Sequence, residues 1–164
     1  MSESGERWLF RLVNFYPPLL GAGVRVRRTG PRDEAIETRM KLRWWNRNYF
    51  GTHFGGSLYT MCDPFFVLLL AQRLGRGYLV WDKAATIRFR RPGRGTVRAR
   101  FEVPDARLEG IRAAADRGEV VEPVFHTQVV DEAGAVVAEV EKLLYIRAKA
   151  RQEDAAGGND AAVS

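Results

Sequence analysis

Near the start of the chain, Trp8, Leu12, Phe15 and Leu19 recur at helical spacing, with Leu9, Val13, Tyr16 and Leu20 beside them. That pattern predicts one amphipathic helix. Pro17 and Pro18 have no N–H to donate and are expected to end or bend it, and Gly21 and Gly23 break the pattern. The period then changes. Segments 24–28 and 35–44 read as strands around the turn Thr29-Gly30-Pro31-Arg32-Asp33. In the second, Met40, Leu42 and Trp44 alternate with Arg39, Lys41 and Arg43. A loop over 46–56 leads into 57–74, which is apolar on nearly every side and predicts a buried helix. Segments 83–90 and 96–103 alternate again, Ile87 and Phe89 against Arg88 and Arg90 in the first. A short polar helix over 104–118 and two strands, 119–130 and 135–146, joined by the turn 131–134, complete the order.

A helix that is apolar all round needs a sheet wrapped about it. The pattern therefore predicts an α+β domain in which six antiparallel strands curl over one long central helix, with an extra helix at the N-terminus. A length of 164 residues fits one domain, taken here as 1–148. From Lys149 onward the composition falls to Ala, Gly, Asp and Glu, which predicts a disordered tail over 149–164.

Composition narrows the function classes. Apolar residues make up 46% and charged residues 28%, an ordinary globular balance that excludes disorder throughout. Cys62 is the single cysteine, so an internal disulfide and a cysteine-based zinc site are excluded, and a reducing, cytoplasmic setting is expected. Two histidines and one cysteine leave few metal ligands, so no metal is expected. The longest apolar run, 65–71, is far short of a membrane-spanning helix, and the charged N-terminus lacks the apolar stretch of a signal peptide. A net charge of +6 favours a polyanionic partner such as nucleic acid, anionic lipid or a phosphate-bearing cofactor. The excess is almost all arginine, which genome composition explains as well.

The loop before the buried helix gathers Asn46, Asn48, His53, Gly55 and Gly56, and Asp63 follows two helical turns later. Glycines at a helix start let another group approach the backbone, where unpaired N–H groups and a partial positive charge make the parts of an oxyanion hole. Asp63-Pro64 reads two ways from the residues alone: a catalytic carboxylate, or an N-cap followed by proline at the first helical position. Cys62, in an apolar stretch with no evident base, reads as inert core. Trp44 and Trp45 read as packing at a strand end rather than a stacking platform for bases.

Gly55-Gly56-Ser57-Leu58-Tyr59-Thr60-Met61-Cys62-Asp63, followed by Ile87-Arg88-Phe89-Arg90-Arg91-Pro92-Gly93, resembles the hotdog-fold acyl-CoA thioesterases. It is most similar to the phenylacetic-acid-degradation (PaaI-like) type and, within it, to an uncharacterised bacterial family. The resemblance covers roughly residues 24–147. It implies hydrolysis of a thioester of an apolar acyl chain at a site formed between subunits. Gly56 N–H, with Gly55, would polarise the carbonyl, Asp63 would be base or nucleophile, and Asn48 would orient water or substrate. The family's pattern histidine falls on Phe54, and His53 sits one residue earlier. Phe54, Tyr59 and Phe66 are expected to hold the acyl chain, and Arg90, Arg91, Arg94 and Lys83 the phosphates of coenzyme A. Coenzyme A enters as part of the substrate, with no separate cofactor. A homo-oligomer, dimer or dimer of dimers, is implied, with neither nucleic acid nor membrane insertion. The alternative, motivated by Phe54, is a non-catalytic acyl-CoA or lipid-binding hotdog module. A nucleic-acid-binding protein is a third reading that rests on charge and tryptophans alone.

Overall fold

A computed structural model describes residues 12–30 and 34–149. Trp8 and Leu9 of the expected first helix, residues 31–33 of the first turn and residues 150–164 of the expected tail lie outside the described residues.

Among the described residues six strands form one sheet in the order β1-β2-β4-β5-β6-β3, every neighbouring pair antiparallel. They are β1 (Val24–Thr29), β2 (Ala35–Lys41), β3 (Tyr78–Phe89), β4 (Thr96–Glu102), β5 (Val124–Val130) and β6 (Val136–Ala148). One row of partners runs across the whole sheet: Val26, Thr38, Ala99, Val129, Ala138 and Phe89. This inner face packs on the central helix, so the strands alternate buried apolar with exposed polar residues, as a sheet wet on one side must.

The central helix is built in two segments, α2 (Gly55–Thr60) and α3 (Phe65–Leu74), rather than running unbroken from Ser57. Pro64 supplies the reason, since it has no N–H to continue the ladder. Phe65, Phe66, Leu69, Leu70 and Leu74 of α3 are buried. Phe66 stacks on Phe125 at 4.9 Å and meets Phe101 edge-on at 5.3 Å. Truncating such a ring to alanine costs about 3–5 kcal/mol. Helix α4 (Asp105–Asp116) lays Leu108, Ile111 and Ala115 against the same core. Its Arg112 donates to the carbonyls of Arg73 and Leu74, capping the C-terminal end of α3 with positive charge.

The chain near the N-terminus extends one expectation and changes another. Leu12 and Val13 are helical and their helix stops at a turn over 14–15, and Pro17 and Pro18 then begin a new helix, α1 (Pro17–Ala22), because the first turn has no N–H bonds to lose. Trp44 and Trp45 are 78% and 50% exposed rather than packed, because β2 stops at Lys41 and the chain turns through them.

Strand β3 carries a bulge. Asp82 pairs with Leu144 and Ala84 with Leu143, leaving Lys83 as an extra residue. The phase of alternation therefore switches: Val80 and Asp82 share the inner face with Ala85, Ile87 and Phe89, all set against buried residues of β6. Among the described residues β3 is also the last strand of the sheet, bonded to β6 alone, and most of its residues are exposed.

Candidate active site

The loop before α2 is held by two asparagines. Buried Asn46 accepts from Arg43 N at 2.7 Å and donates to the carbonyls of Ala22 and Lys41, both at 3.0 Å. It thereby ties the loop to the ends of α1 and β2. Gly23, at φ 78°, sits against it, and a Cβ there would meet the Asn46 amide at 3.1 Å. Asn48 is engaged within its own loop: its Oδ1 accepts from Phe50 N and Thr52 N, and its Nδ2 donates to Thr52 Oγ1 at 3.0 Å.

His53 is buried between this loop and the turn after β3. Its Nε2 lies 3.1 Å from the Gly95 carbonyl and its backbone N donates to Gly93 O at 2.9 Å. Burial lowers its pKa below the ordinary histidine value, only partly offset by the Gly95 bond, so the ring is neutral with Nε2 as donor. Its Nδ1 is buried and has no hydrogen-bond partner among the described residues. Sequence position groups His53 with the reacting residues, whereas its Nε2 pins the 91–95 turn.

A cavity of about 550 Å³ opens beside the loop, lined by Asn48, Phe50, His53, Gly55, Phe89, Arg91 and Arg94 among others. The N–H groups of Gly55 and Gly56 precede the first bond of α2, Leu58 N to Phe54 O at 3.1 Å, and so are available to an acceptor. Phe54 is 55% exposed and its ring covers Gly56. Of the four expected phosphate ligands, Lys83 pairs with Glu122 at 2.6 Å and Arg90 Nε donates to Glu139 at 2.9 Å. Arg91 and Arg94 have no ion pair among the described residues, and both line the cavity. Phe66 lies in the core, away from this cavity.

Asp63 belongs to a second constellation. It does not cap α3, whose N-cap is Pro64 with no side-chain hydrogen bond. Instead its Oδ1 accepts from Lys142 Nζ at 2.8 Å. The same ammonium donates to Tyr59 Oη at 3.1 Å and pairs with Asp82 Oδ1 at 3.0 Å. Lys142 is wholly buried, while the Asp63 and Asp82 side chains are 47% and 31% exposed. Burial opposes ionisation of Asp63, but hydrogen bonds from Lys142 and Tyr59 and the Lys142 charge outweigh it and hold the carboxyl below its ordinary range. Burial raises Asp82, and Lys142 only partly offsets it. Burial also works against the Lys142 charge, yet its three partners together raise its pKa above the usual lysine value. Burial pushes the Cys62 thiol far up, which makes it inert.

Sequence reasoning missed Lys142 and Asp82. A signal existed for the first: Ala138, Val140, Leu144 and Ile146 form the inner stripe of β6, and Lys142 interrupts it. No signal existed for Asp82, because the bulge that turns it inward has no sequence mark. Asp63 is not among the residues that line the cavity, so within one chain the carboxylate and the cavity are separate features. Among the described residues no group of three His, Cys, Asp or Glu is placed to hold a metal ion.

A sheet of this order curled over a central helix is the hotdog fold, as in the solved structures it resembles. The chain belongs to the family described as a domain of unknown function, DUF4442, whose profile matches residues 5–146. It is similar in structure to a Pseudomonas aeruginosa protein of unknown function called "Probable Thioesterase", with TM-score 0.77 and 24% identity over 91% of this chain and 97% of that one. A Haemophilus influenzae thioesterase matches with TM-score 0.62 and 16% identity, over 83% of this chain and 86% of that one. The Escherichia coli PaaI protein of the phenylacetic acid degradation operon matches with TM-score 0.57 and 16% identity, over 91% and 97%. No relative is found among curated proteins.

Proposed function

We propose that the chain is a hydrolase of acyl-CoA-type thioesters with an apolar acyl group, working as a homo-oligomer whose site lies between two subunits. Water attacks the thioester carbonyl and passes a proton to the Asp63 carboxylate. Gly55 and Gly56 N–H groups receive the developing oxyanion, the carbon–sulfur bond breaks, and the proton leaves with the thiolate as a thiol. Arg91 and Arg94 face the phosphates of the coenzyme.

The observation that carries this reading is the ionised Asp63, partly exposed and held toward the open edge of β3 by Lys142 instead of capping a helix. The edge also supports a dimer. A long unpaired strand invites pairing by another chain, and Trp81 and Phe89 stand exposed along it. Asp82 and Phe89 lie about 20 Å apart along β3. Antiparallel pairing of two such edges, centred near Ala85 and Thr86, sets Asp82 of one subunit against the Phe89 end of the other. It thus unites the carboxylate cluster of one with the cavity of the next.

The test is hydrolysis of acyl-CoA esters across a chain-length panel by wild type and Asp63→Asn, with mass measured by light scattering. Turnover that falls by about 10²-fold or more in the variant, from a dimer or larger species, supports the reading. A folded, equally active variant removes Asp63 from the chemistry. A second reading, an acyl-CoA-binding module without turnover, is favoured by the way His53 is tied to Gly95. Tight binding of acyl-CoA without product would decide for it.

A further inference from the structure

We propose that Lys142 is a positioning residue for this hydrolysis: its buried ammonium locks the Asp63 carboxylate in one orientation and in its charged form, and Asp82 is the competing carboxylate that sets how tightly. The catalytic consequence rests on the thioesterase reading above; the clamp itself does not.

An ammonium has three N–H donors and no acceptor. All three find partners here, Asp63 at 2.8 Å, Asp82 at 3.0 Å and Tyr59 at 3.1 Å. They come from the break between α2 and α3, from β3 and from α2, so the carboxylate of Asp63 is triangulated between separate elements. Cys62, the remaining titratable neighbour, stays neutral.

Stability alone does not account for this lysine. It stands in a stripe of Ala138, Val140, Leu144 and Ile146, where an apolar side chain would continue the core without a charge to desolvate. The arrangement is also asymmetric. The cation is sealed from water while both carboxylates are partly exposed. Two carboxylates on one ammonium leave a net negative charge on the open side, where an incoming water or thioester would meet it. The bulge at Lys83 is what delivers Asp82 to the cluster. Removing Asp82 leaves the ammonium to Asp63 and takes away a neighbouring negative charge, which strengthens the hold. Removing Lys142 abolishes it.

The test compares Lys142→Met and Asp82→Asn by the pH profile of kcat/KM on an acyl-CoA ester, with the 13C carboxyl titration of Asp63 read by NMR. In Lys142→Met the acid limb moves up by about one pH unit or more. The kcat of this variant falls by roughly tenfold or more, with KM within about threefold of wild type. In Asp82→Asn the limb moves the opposite way, to lower pH. A folded Lys142→Met with an unmoved limb overturns the proposal. Where Lys142→Met does not fold, Asp82→Asn decides alone, a lower limb supporting the clamp and an unmoved one overturning it. If wild type hydrolyses no thioester, the functional reading fails by itself. The Asp63 titration still decides the clamp: a lower midpoint in Asp82→Asn supports it, and an equal one overturns it.

Discussion

The ring of Phe89, at the end of β3, lies so close over Gly55 that a Cβ on the glycine would meet ring carbon Cζ at 3.0 Å. The absent side chain lets the sheet edge touch the start of the central helix, and both residues line the cavity. Gly55→Ala is expected to leave stability within about 1 kcal/mol, because the gain in helix propensity opposes the displacement of a half-exposed ring. Phe89 gives way into the cavity, so kcat/KM falls although no charged group has changed. Thermal melts and steady-state kinetics on one acyl-CoA ester check the pair of outcomes.

Lys142 has a pKa raised above its ordinary value in the folded chain, and Tyr59 does too, chiefly through burial and its bond to Asp63. The folded state therefore holds these protons more tightly than the unfolded one. Their contribution is complete below the unfolded values, about 10 for both, and is lost as pH rises through the folded values. Urea melts at increasingly alkaline pH should show this decline in wild type and a shallower one in Lys142→Met. Equal slopes in the two proteins would contradict the assignment.

His53 behaves in the opposite sense. Its folded pKa is depressed by burial, so the neutral ring contributes stability above the unfolded value of about 6.5 that is lost as pH falls toward the folded one. His53→Gln keeps a donor for the Gly95 carbonyl and removes the titration. Between about pH 7 and pH 5 its melting temperature should fall less than that of wild type. An identical decline would mean that the imidazole is not the group being protonated.

Arg91 and Arg94 line the cavity without a carboxylate partner among the described residues, whereas Arg90 and Lys83 are each paired with a glutamate. Arg91→Ala and Arg94→Ala should each raise KM for acyl-CoA by about tenfold, the worth of one hydrogen bond to a charged group. The melting temperature should barely move. Arg90→Ala should change KM less. Repeating the kinetics with an acyl-pantetheine that lacks the nucleotide removes the difference if the phosphates are what these arginines bind.

The fold was legible because the segments that bury most of its apolar surface are periodic. A helix apolar on all sides and strands alternating about Met40, Phe101 and Ile87 leave few other ways to bury themselves. What periodicity could not reveal were local exceptions to it. Pro17 and Pro18 mark a stop as well as a start, since one helix ends just before them and another begins on them, and periodicity alone showed only the stop. At the site, Asn48, Gly55 and Asp63 were legible as residues but not as partners. Asn48 holds its own loop, His53 holds a turn, and Asp63 finds its companion on β6, 79 residues away. Such a contact is a product of strand register, which short spacings in a sequence do not encode.

The extra residue in β3 makes that strand speak in two frames, one on each side of Lys83. Were Lys83 instead paired in ordinary register, strict alternation counted back from Ala85 would set Lys83 on the inner face and Asp82 toward solvent, leaving the Lys142 ammonium to Asp63 and Tyr59. One irregularity in a single strand thereby governs how the buried cation is shared, so descendants of this chain can diverge in their response to pH while keeping the same silhouette.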